Sequence, residues 1–236
     1  MGGNYLSMKQ EQFDYLIDEL GKCKECINFQ NCEKSLINIY QDKDFSKNIP
    51  SIWTDWFNRF DSKIMLIGQD WGPYYDMQKY HNLLKKDKSN WKEIIELEKS
   101  NTKKMLEYFI SKSSQNKYSL NDIFITNAIM CARQGYNYRS NNINLNKSTI
   151  NCSKYLLKQI NIVKPKVILT LGYYPLKSLS SIFHFRIENT LKATINNYPE
   201  IKICNYIIIP LFHSVAQVKK EEQLKQYYRI WKYIEK

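Results

Sequence analysis

The sequence predicts an α/β fold, a three-layer α/β/α sandwich around a central, mostly parallel, four-stranded sheet. Three observations indicate this fold. Apolar runs that end at a glycine or a polar residue alternate along the chain with amphipathic segments of helical period. Two of the runs, 166–172 and 206–211, are continuously apolar, as strands covered on both faces are. The length of 236 residues, of which 43% are hydrophobic, is enough for a substantial core.

The hydrophobic pattern places each element in order along the chain. Apolar runs predict four strands, at 63–68, 123–130, 166–172 and 202–211. Helical periodicity predicts helices near 8–22, 91–112, 148–162, 175–183 and 219–235. A polar insertion is expected at about 80–104 and an Asn-rich loop at 137–147. Because no repeat or linker divides the chain, residues 1–236 are expected to form a single domain.

The composition limits the classes of protein to which this chain can belong. No run of about 18 apolar residues occurs, and the N-terminus lacks the apolar core of a secretory signal. We therefore expect a cytoplasmic protein, monomeric and without a membrane partner. The formal net charge is +12, and such a surface attracts phosphate backbones. The coding bias of an AT-rich genome would enrich lysine equally well, so charge alone leaves DNA binding open.

The most informative segment follows the first predicted strand, where an apolar run stops at Gly68 and leads into Gln69 and Asp70. The chain has only seven glycines, and Gly68 and Gly72 bracket this turn. Glycine is needed where φ is positive or where a ligand approaches the backbone closely. A strand that delivers a carboxylate into a tight turn is typical of an active-site loop, although Asp70 would also suit a turn or helix cap.

Four cysteines have the spacing of a metal site. Cys23 and Cys26 form a Cys-x-x-Cys pair, Cys131 closes the second predicted strand, and Cys152 opens the following helix. Thiolates bind both zinc and iron–sulfur clusters, whereas disulfides are not expected in a cytosolic protein. Spacing alone leaves zinc and a [4Fe–4S] cluster open, and Cys32 stands close enough to Cys26 to replace either member of the pair.

Asn127 and His213 are further candidates for the site. Asn127 lies in an apolar strand, where a buried amide must find partners. His213 follows the last predicted strand and would also suit a structural histidine. Since parallel strands end at the same edge of a sheet, both side chains would meet Asp70 there. Cys204, inside the last predicted strand, is expected to be a buried small hydrophobic residue.

In combination, these motifs resemble the uracil-DNA glycosylase superfamily. Residues 68–72, Gly-Gln-Asp-Trp-Gly, look like a hybrid of its first motif in the uracil-specific enzymes, Gly-Gln-Asp-Pro-Tyr, and in the iron–sulfur branch, Gly-Glu-Ala-Pro-Gly. Residues 126–131 resemble that branch's second motif, an Asn followed four residues later by a cluster cysteine. Residues 163–172 match its Arg-Pro-Lys-x-Ile strand, and 212–214, Phe-His-Ser, resemble the third motif without its proline. The likeness runs from about residue 23 to the C-terminus, outside the insertion.

The resemblance implies hydrolysis of the N-glycosidic bond of a pyrimidine flipped out of DNA, leaving an abasic site. Asp70 would stabilise the cationic sugar and position water, while a neutral His213 would donate a hydrogen bond to the departing base. Asn127 would read the edge of the base. The resemblance also implies substrate contacts by Gln69, Gly72, Tyr75 and Ser214. The implied ligands of a [4Fe–4S] cluster, with zinc as the alternative, are Cys23, Cys26, Cys131 and Cys152.

DNA contacts are expected from two segments. The aromatic and basic stretch 133–139 would grip DNA through Arg133, Tyr136 and Arg139, or else forms a solvated loop. By the resemblance, the loop after the last strand would add Lys219 and an apolar wedge, Val215 or Val218. The aromatic residue that stacks on the base is left open among Tyr74, Tyr75 and Tyr80.

The preferred base depends on Gly72. At this position the uracil-specific enzymes carry a tyrosine that abuts C5 of the base, whereas glycine leaves that side open. The enzyme would therefore act on uracil or a C5-modified pyrimidine, or specifically on bulky modified cytosines in phage DNA, as an antiviral defence. A hypothesis of another class is a non-catalytic DNA-binding module with a structural metal, which would have no use for Asp70 beside a phosphate backbone.

Overall fold

The computed structural model describes residues 2–26, 36–42, 56, 59–78, 100–134 and 144–235, with the side chains of 2–7 left out. The strands are β1 (Leu36–Ile37), β2 (Ile64–Gly68), β3 (Ile123–Asn127), β4 (Ala132–Arg133), β5 (Val167–Leu171), β6 (Ile201–Ile203) and β7 (Tyr206–Leu211). The α-helices are α1 (Gly2–Lys22), α2 (Asn101–Ser113), α3 (Leu145–Val163), α4 (Tyr173–Phe183), α5 (Leu191–Asn197) and α6 (Lys220–Ile234). No helix in these ranges is both long and apolar enough to cross a membrane.

The central sheet has the strand order β3-β2-β5-β7-β6. The first four strands are parallel, and β6 pairs with β7 in antiparallel fashion. Alternate residues of each strand face opposite layers: Met65 and Ile67 pack towards α1, α3 and α4, while Ile64 and Leu66 pack towards α2 and α6. The predicted three-layer α/β fold with four parallel strands is therefore confirmed, with one strand added at the edge.

The added strand comes from a turn inside the predicted strand 202–211. Ile203 pairs with Tyr206, and the two residues between them form the turn, with Cys204 at φ 49°. Two-residue hairpin turns require positive φ, which Cys204 adopts here, and Asn205 completes the turn. The expectation that Cys204 is buried in a strand is wrong, because the turn exposes it.

Several predicted boundaries differ from the structure. The first helix already begins at Gly2, and the second predicted strand ends at Asn127 rather than at 130. The helix predicted at 148–162 begins at Leu145, because the Asn144 side chain accepts a hydrogen bond from the backbone of Lys147 and caps it. Most of the predicted insertion and the centre of the Asn-rich loop, 79–99 and 135–143, lie outside the described residues.

A second, two-stranded sheet, which the sequence did not predict, joins the N-terminal segment to the segment that follows β3. In it, β1 and β4 are antiparallel, with Leu36 opposite Arg133. Directly after β1, the buried amide of Asn38 donates to the carbonyls of Leu20 (2.7 Å) and Cys23 (3.0 Å) at the end of α1. These bonds satisfy carbonyls that a helix end leaves open, and they bring Cys23 towards β4.

Candidate active site

The predicted catalytic residues lie at the carboxyl ends of the parallel strands. Asn127 is the last residue of β3, Asp70 follows β2 by two positions, and His213 follows β7 by two. From β2 the chain continues to β3 on one side, whereas β5 lies on its other side, so the strand order reverses beside Asp70. Such a switch point opens a crevice in which α/β proteins bind ligands.

The carboxylate of Asp70 is almost completely buried, with 2% of its side chain exposed. Its Oδ1 accepts hydrogen bonds from the backbone N–H of Gly72 (2.8 Å) and from Nε of Arg133 (3.0 Å). Its Oδ2 accepts one from the side-chain amide of Gln69 (2.8 Å). A buried carboxylate is costly unless it is paired and hydrogen-bonded, and these three donors provide both kinds of partner.

The ion pair between Arg133 and Asp70 was missed by sequence analysis, which gave Arg133 a DNA contact. The guanidinium of Arg133 lies at Asp70, and its predicted contact with DNA stays a prediction. The only signal in the sequence was the presence of a basic residue shortly after the second predicted strand. Nothing local shows that residues 63 positions apart form a pair.

Gly68 allows the side chain of Asn127 to lie directly against the backbone. A Cβ atom at position 68 would stand 2.3 Å from Oδ1 of Asn127, far inside contact distance. The turn after Asn127 is bound to the same strand end, since the N–H groups of Ala128 and Ile129 donate to the carbonyls of Gly68 (2.8 Å) and Gln69 (2.9 Å). The Asn127 amide is thereby held beside the turn that carries Asp70.

Gly72 has the positive φ for which the sequence predicted glycine, at +81°. A Cβ atom built on it would meet nothing within 4 Å among the described residues. Its carbonyl accepts the backbone N–H of Arg133 (2.8 Å), and Pro73 pairs with Arg133 in an isolated bridge. The turn 69–73 is thus fastened to β4, with open space beside Gly72.

His213 lies within electrostatic range of Asp70. Partial desolvation lowers the pKa of His213 below its ordinary value of 6.5, although the charge of Asp70 acts in the opposite direction. The imidazole is therefore mostly neutral at pH 7.

The loop after His213 is anchored to α2. The buried hydroxyl of Ser214 donates to the carbonyl of Thr102 in the first turn of α2 (3.0 Å), and its predicted role in binding substrate stays a prediction. Val215 is exposed at the next position, and Lys219 is exposed at the start of α6. Their predicted contacts with DNA stay predictions.

Tyr75 is the most accessible of the described candidates for stacking on a base, with 45% of the residue exposed. Tyr74 packs against the core, and its hydroxyl donates to Asp42 (2.5 Å), a partner that the sequence did not reveal. The remaining aromatic and basic candidates, Tyr80, Tyr136 and Arg139, lie outside the described residues.

The four predicted cysteine ligands lie in one neighbourhood. Cys26 and Cys152 are buried and hydrogen-bond to each other, and Cys131 lies within electrostatic range of Cys23, Cys26 and Cys152. The bond from Cys152, helped by the Asn151 amide 3.7 Å from the sulfur, lowers the pKa of Cys26 to about 6. Burial and the neighbouring thiols raise the pKa of Cys131. Three separate segments therefore converge on one sulfur-rich pocket.

Tyr40 lies beside this group of cysteines. Its buried hydroxyl lies within electrostatic range of Cys131 and Cys152 and has no hydrogen-bond partner among the described residues. The nearby indole N–H of Trp71 donates instead to the carbonyl of Met130 (3.0 Å). A buried hydroxyl without a described partner therefore lies beside at least two of the predicted ligands, Cys131 and Cys152. Among the described residues, no group of three His, Cys, Asp or Glu side chains is arranged to hold one metal ion. Cys32 lies outside them.

Comparison with known families gives a match. The family model described as "Uracil DNA glycosylase superfamily" matches residues 54–235. This range contains β2 to α6 and all three predicted catalytic residues, but neither Cys23 nor Cys26. No curated protein gives a significant match to the chain.

Proposed function

Because the chain belongs to the uracil DNA glycosylase superfamily, we propose that it releases uracil or a C5-modified pyrimidine flipped out of DNA and leaves an abasic site. Members of this superfamily are DNA glycosylases, so the chain is a hydrolase of N-glycosyl bonds with DNA as its substrate. The observation that supports the finer proposal is that a buried carboxylate and an amide lie at the ends of adjacent parallel strands, with the exposed imidazole of His213 within electrostatic range of the carboxylate.

The role of Asp70 follows from the charges that develop in the reaction. As the bond between C1′ and the base nitrogen breaks, its electron pair leaves with the base, and positive charge builds up on the deoxyribose. A fixed carboxylate at this point stabilises the cation and orients the water whose oxygen bonds to C1′. The hydrogen bonds from Gly72, Gln69 and Arg133 hold Asp70 ready for this role before substrate arrives.

His213 and Asn127 act on the base. A neutral imidazole N–H at His213 donates to the base oxygen on which negative charge develops, and the lowered pKa of His213 keeps it in that form. The Asn127 amide has both donors and an acceptor, so it reads the polar edge of the base. Its tight contact with Gly68 limits its rotation and thereby sharpens that reading.

The proposal includes a [4Fe–4S] cluster on Cys23, Cys26, Cys131 and Cys152. A single zinc ion, with bonds of about 2.3 Å, would draw four sulfurs to within about 4 Å of one another. Among the described residues no group of three such side chains is arranged to hold one metal ion, so the choice of a cluster rests on the resemblance and on the convergence of the four cysteines. When bound, the cluster would cross-link the end of α1, the start of β4 and α3, and stabilise the fold.

The cluster proposal is tested by metal analysis of anaerobically purified protein. We expect visible absorption from iron–sulfide charge transfer and iron and sulfide in stoichiometric amounts of about four per chain. Cys131→Ser is expected to lose iron and to unfold at lower temperature, whereas the same change at the exposed Cys204 leaves both unchanged. Zinc alone in the purified protein would contradict the cluster.

A second candidate function is the release of bulky modified cytosines. The open space at Gly72 favours it, because a Cβ built at this position, where the uracil-specific enzymes carry a tyrosine, meets no described atom within 4 Å. Uracil itself would also fit such a pocket, so the two functions differ in the largest base that they accept.

A panel of oligonucleotides tests both functions. Single-stranded and duplex DNA would carry uracil, a mismatched thymine, 5-hydroxymethylcytosine or its glucosylated form, and abasic sites would be revealed by alkaline cleavage. We expect cleavage of uracil or at least one C5-modified base; cleavage of uracil alone would contradict the open pocket. Gly72→Tyr should narrow the range of bases, and Gly72→Ala, equally strained at positive φ but small, is its control.

A further inference from the structure

Arg133 is bound to the turn of Asp70 through both its backbone and its side chain. Its Nε donates to Asp70 (3.0 Å), its N–H donates to Gly72 (2.8 Å), and Pro73 lies beside it in a bridge. Only 14% of its side chain is exposed. We propose that Arg133 is a positioning residue that acts through Asp70, pairing with the buried carboxylate and fixing its orientation. The inference rests on the proposed role of Asp70.

The burial of Asp70 explains why a cation is needed there. Two of the three donors to its carboxylate, the Gly72 N–H and the Gln69 amide, are neutral. His213 lies nearby but is mostly neutral at pH 7, so it supplies no full positive charge. The charge that balances the carboxylate within the described part of the site is therefore the guanidinium of Arg133.

The backbone of Arg133, on β4, is held in place on both sides. Leu36 of β1 pairs with it on one side, and the turn 69–73 is bound to it on the other. A residue held on both sides loses little further entropy when its side chain orients another group. A solvent-facing arginine that grips phosphates would instead need freedom to follow the DNA, which favours positioning over DNA contact.

A double-mutant cycle tests the inference. Single-turnover base release would be measured on duplexes carrying uracil or 5-hydroxymethylcytosine, using whichever the wild type cleaves. We expect Arg133→Gln to slow release by about 100-fold, and Arg133→Lys to recover about tenfold of this because it keeps the charge in a looser geometry. In the Asp70→Asn background, Arg133→Gln should change the residual rate by less than about twofold, since its effect passes through Asp70.

Two controls separate positioning from other roles. Affinity for a duplex with a stable abasic-site analogue should fall by less than about threefold in Arg133→Gln, as expected for a residue that does not touch DNA. Arg186→Gln removes the same charge from an exposed position and should release the base at the wild-type rate. If Arg133→Gln does not fold, Arg133→Lys replaces it in the double-mutant cycle. It should slow base release by about tenfold in the wild type and have no effect in the Asp70→Asn background.

Each outcome bears on one proposal or on both. Equal losses in the two Asp70 backgrounds, or a loss of DNA affinity that accounts for the slower release, would overturn the positioning role of Arg133. So would full activity of Arg133→Gln beside an impaired Asp70→Asn, and the proposed function would then survive. A wild type that cleaves no probe, or an Asp70→Asn variant as active as the wild type, contradicts the proposed function itself.

Discussion

At the scale of single residues, the charge of Asp70 can be removed with almost no change in shape. Asp70→Asn keeps an oxygen for the Gly72 N–H but can no longer stabilise a cationic sugar. We expect base release to slow by about 10³-fold, or about 4 kcal/mol of activation free energy. DNA affinity should stay the same or rise, because a negative charge near the phosphates is lost. Single-turnover release and fluorescence anisotropy would measure the two effects.

The outcome also separates the two classes of function. A non-catalytic DNA-binding module would bind DNA and release no base in either form. Thermal unfolding is the control, since the substitution leaves Arg133 without its anionic partner. Wild-type release by a folded Asp70→Asn protein would contradict the assigned role.

His213 provides a pH-dependent prediction. Desolvation lowers its pKa below 6.5 and the charge of Asp70 opposes this, so Asp70→Asn should lower the pKa further. In an NMR titration, the signal missing from His213→Gln identifies this residue among the three histidines. An upward shift, or none, in Asp70→Asn would show that the two side chains do not interact.

The same shift has a consequence for stability. Because the folded protein binds the His213 proton less readily than the unfolded chain, the free energy of unfolding decreases as the pH falls from about 6.5 towards the lowered pKa. Above about pH 6.5, the contribution of His213 to the free energy of unfolding is fully retained. The decrease attributable to this residue should be absent from His213→Gln.

At the scale of elements, the attachment of β1 to α1 depends on Asn38. Asn38→Ala would remove the side-chain donor from the carbonyls of Leu20 and Cys23 at the end of α1, and Leu20 would keep only the N–H of Cys23. We expect the free energy of unfolding to drop by about 2–3 kcal/mol in urea titration. Asn197→Ala, which removes a solvent-exposed bond to Glu188, is the matched control, with an expected change below about 0.5 kcal/mol. Equal effects of the two substitutions would contradict the anchoring role of Asn38.

At the scale of the whole molecule, the charge of +12 predicts how DNA binding responds to salt. Each phosphate contact releases counterions, so affinity should fall by about 10- to 100-fold between 50 and 200 mM salt if a few such contacts form. Anisotropy with a short duplex at several salt concentrations measures the slope. An affinity independent of salt would show that the lysine excess reflects composition alone.

Local sequence was sufficient to predict the strands that carry chemistry. The apolar runs that form β2, β3, β5 and β7 are buried on both faces, so their pattern depends on few details of the fold. The turn at Gly68 and Gly72 was readable because glycine marks close approach and positive φ in the chain itself. The two-residue strands β1 and β4 left no such mark, since two residues show no periodicity.

By itself, the sequence determined which side chains stand at the strand ends: Asp70, Asn127 and His213. The tertiary structure alone decided which residues pair around them. Arg133 pairs with Asp70, and the neighbouring Tyr74 bonds to Asp42. The physical reason is that strand ends follow from local burial, whereas an ion pair 63 residues apart depends on strand order and register. Those are set by the packing of the whole chain.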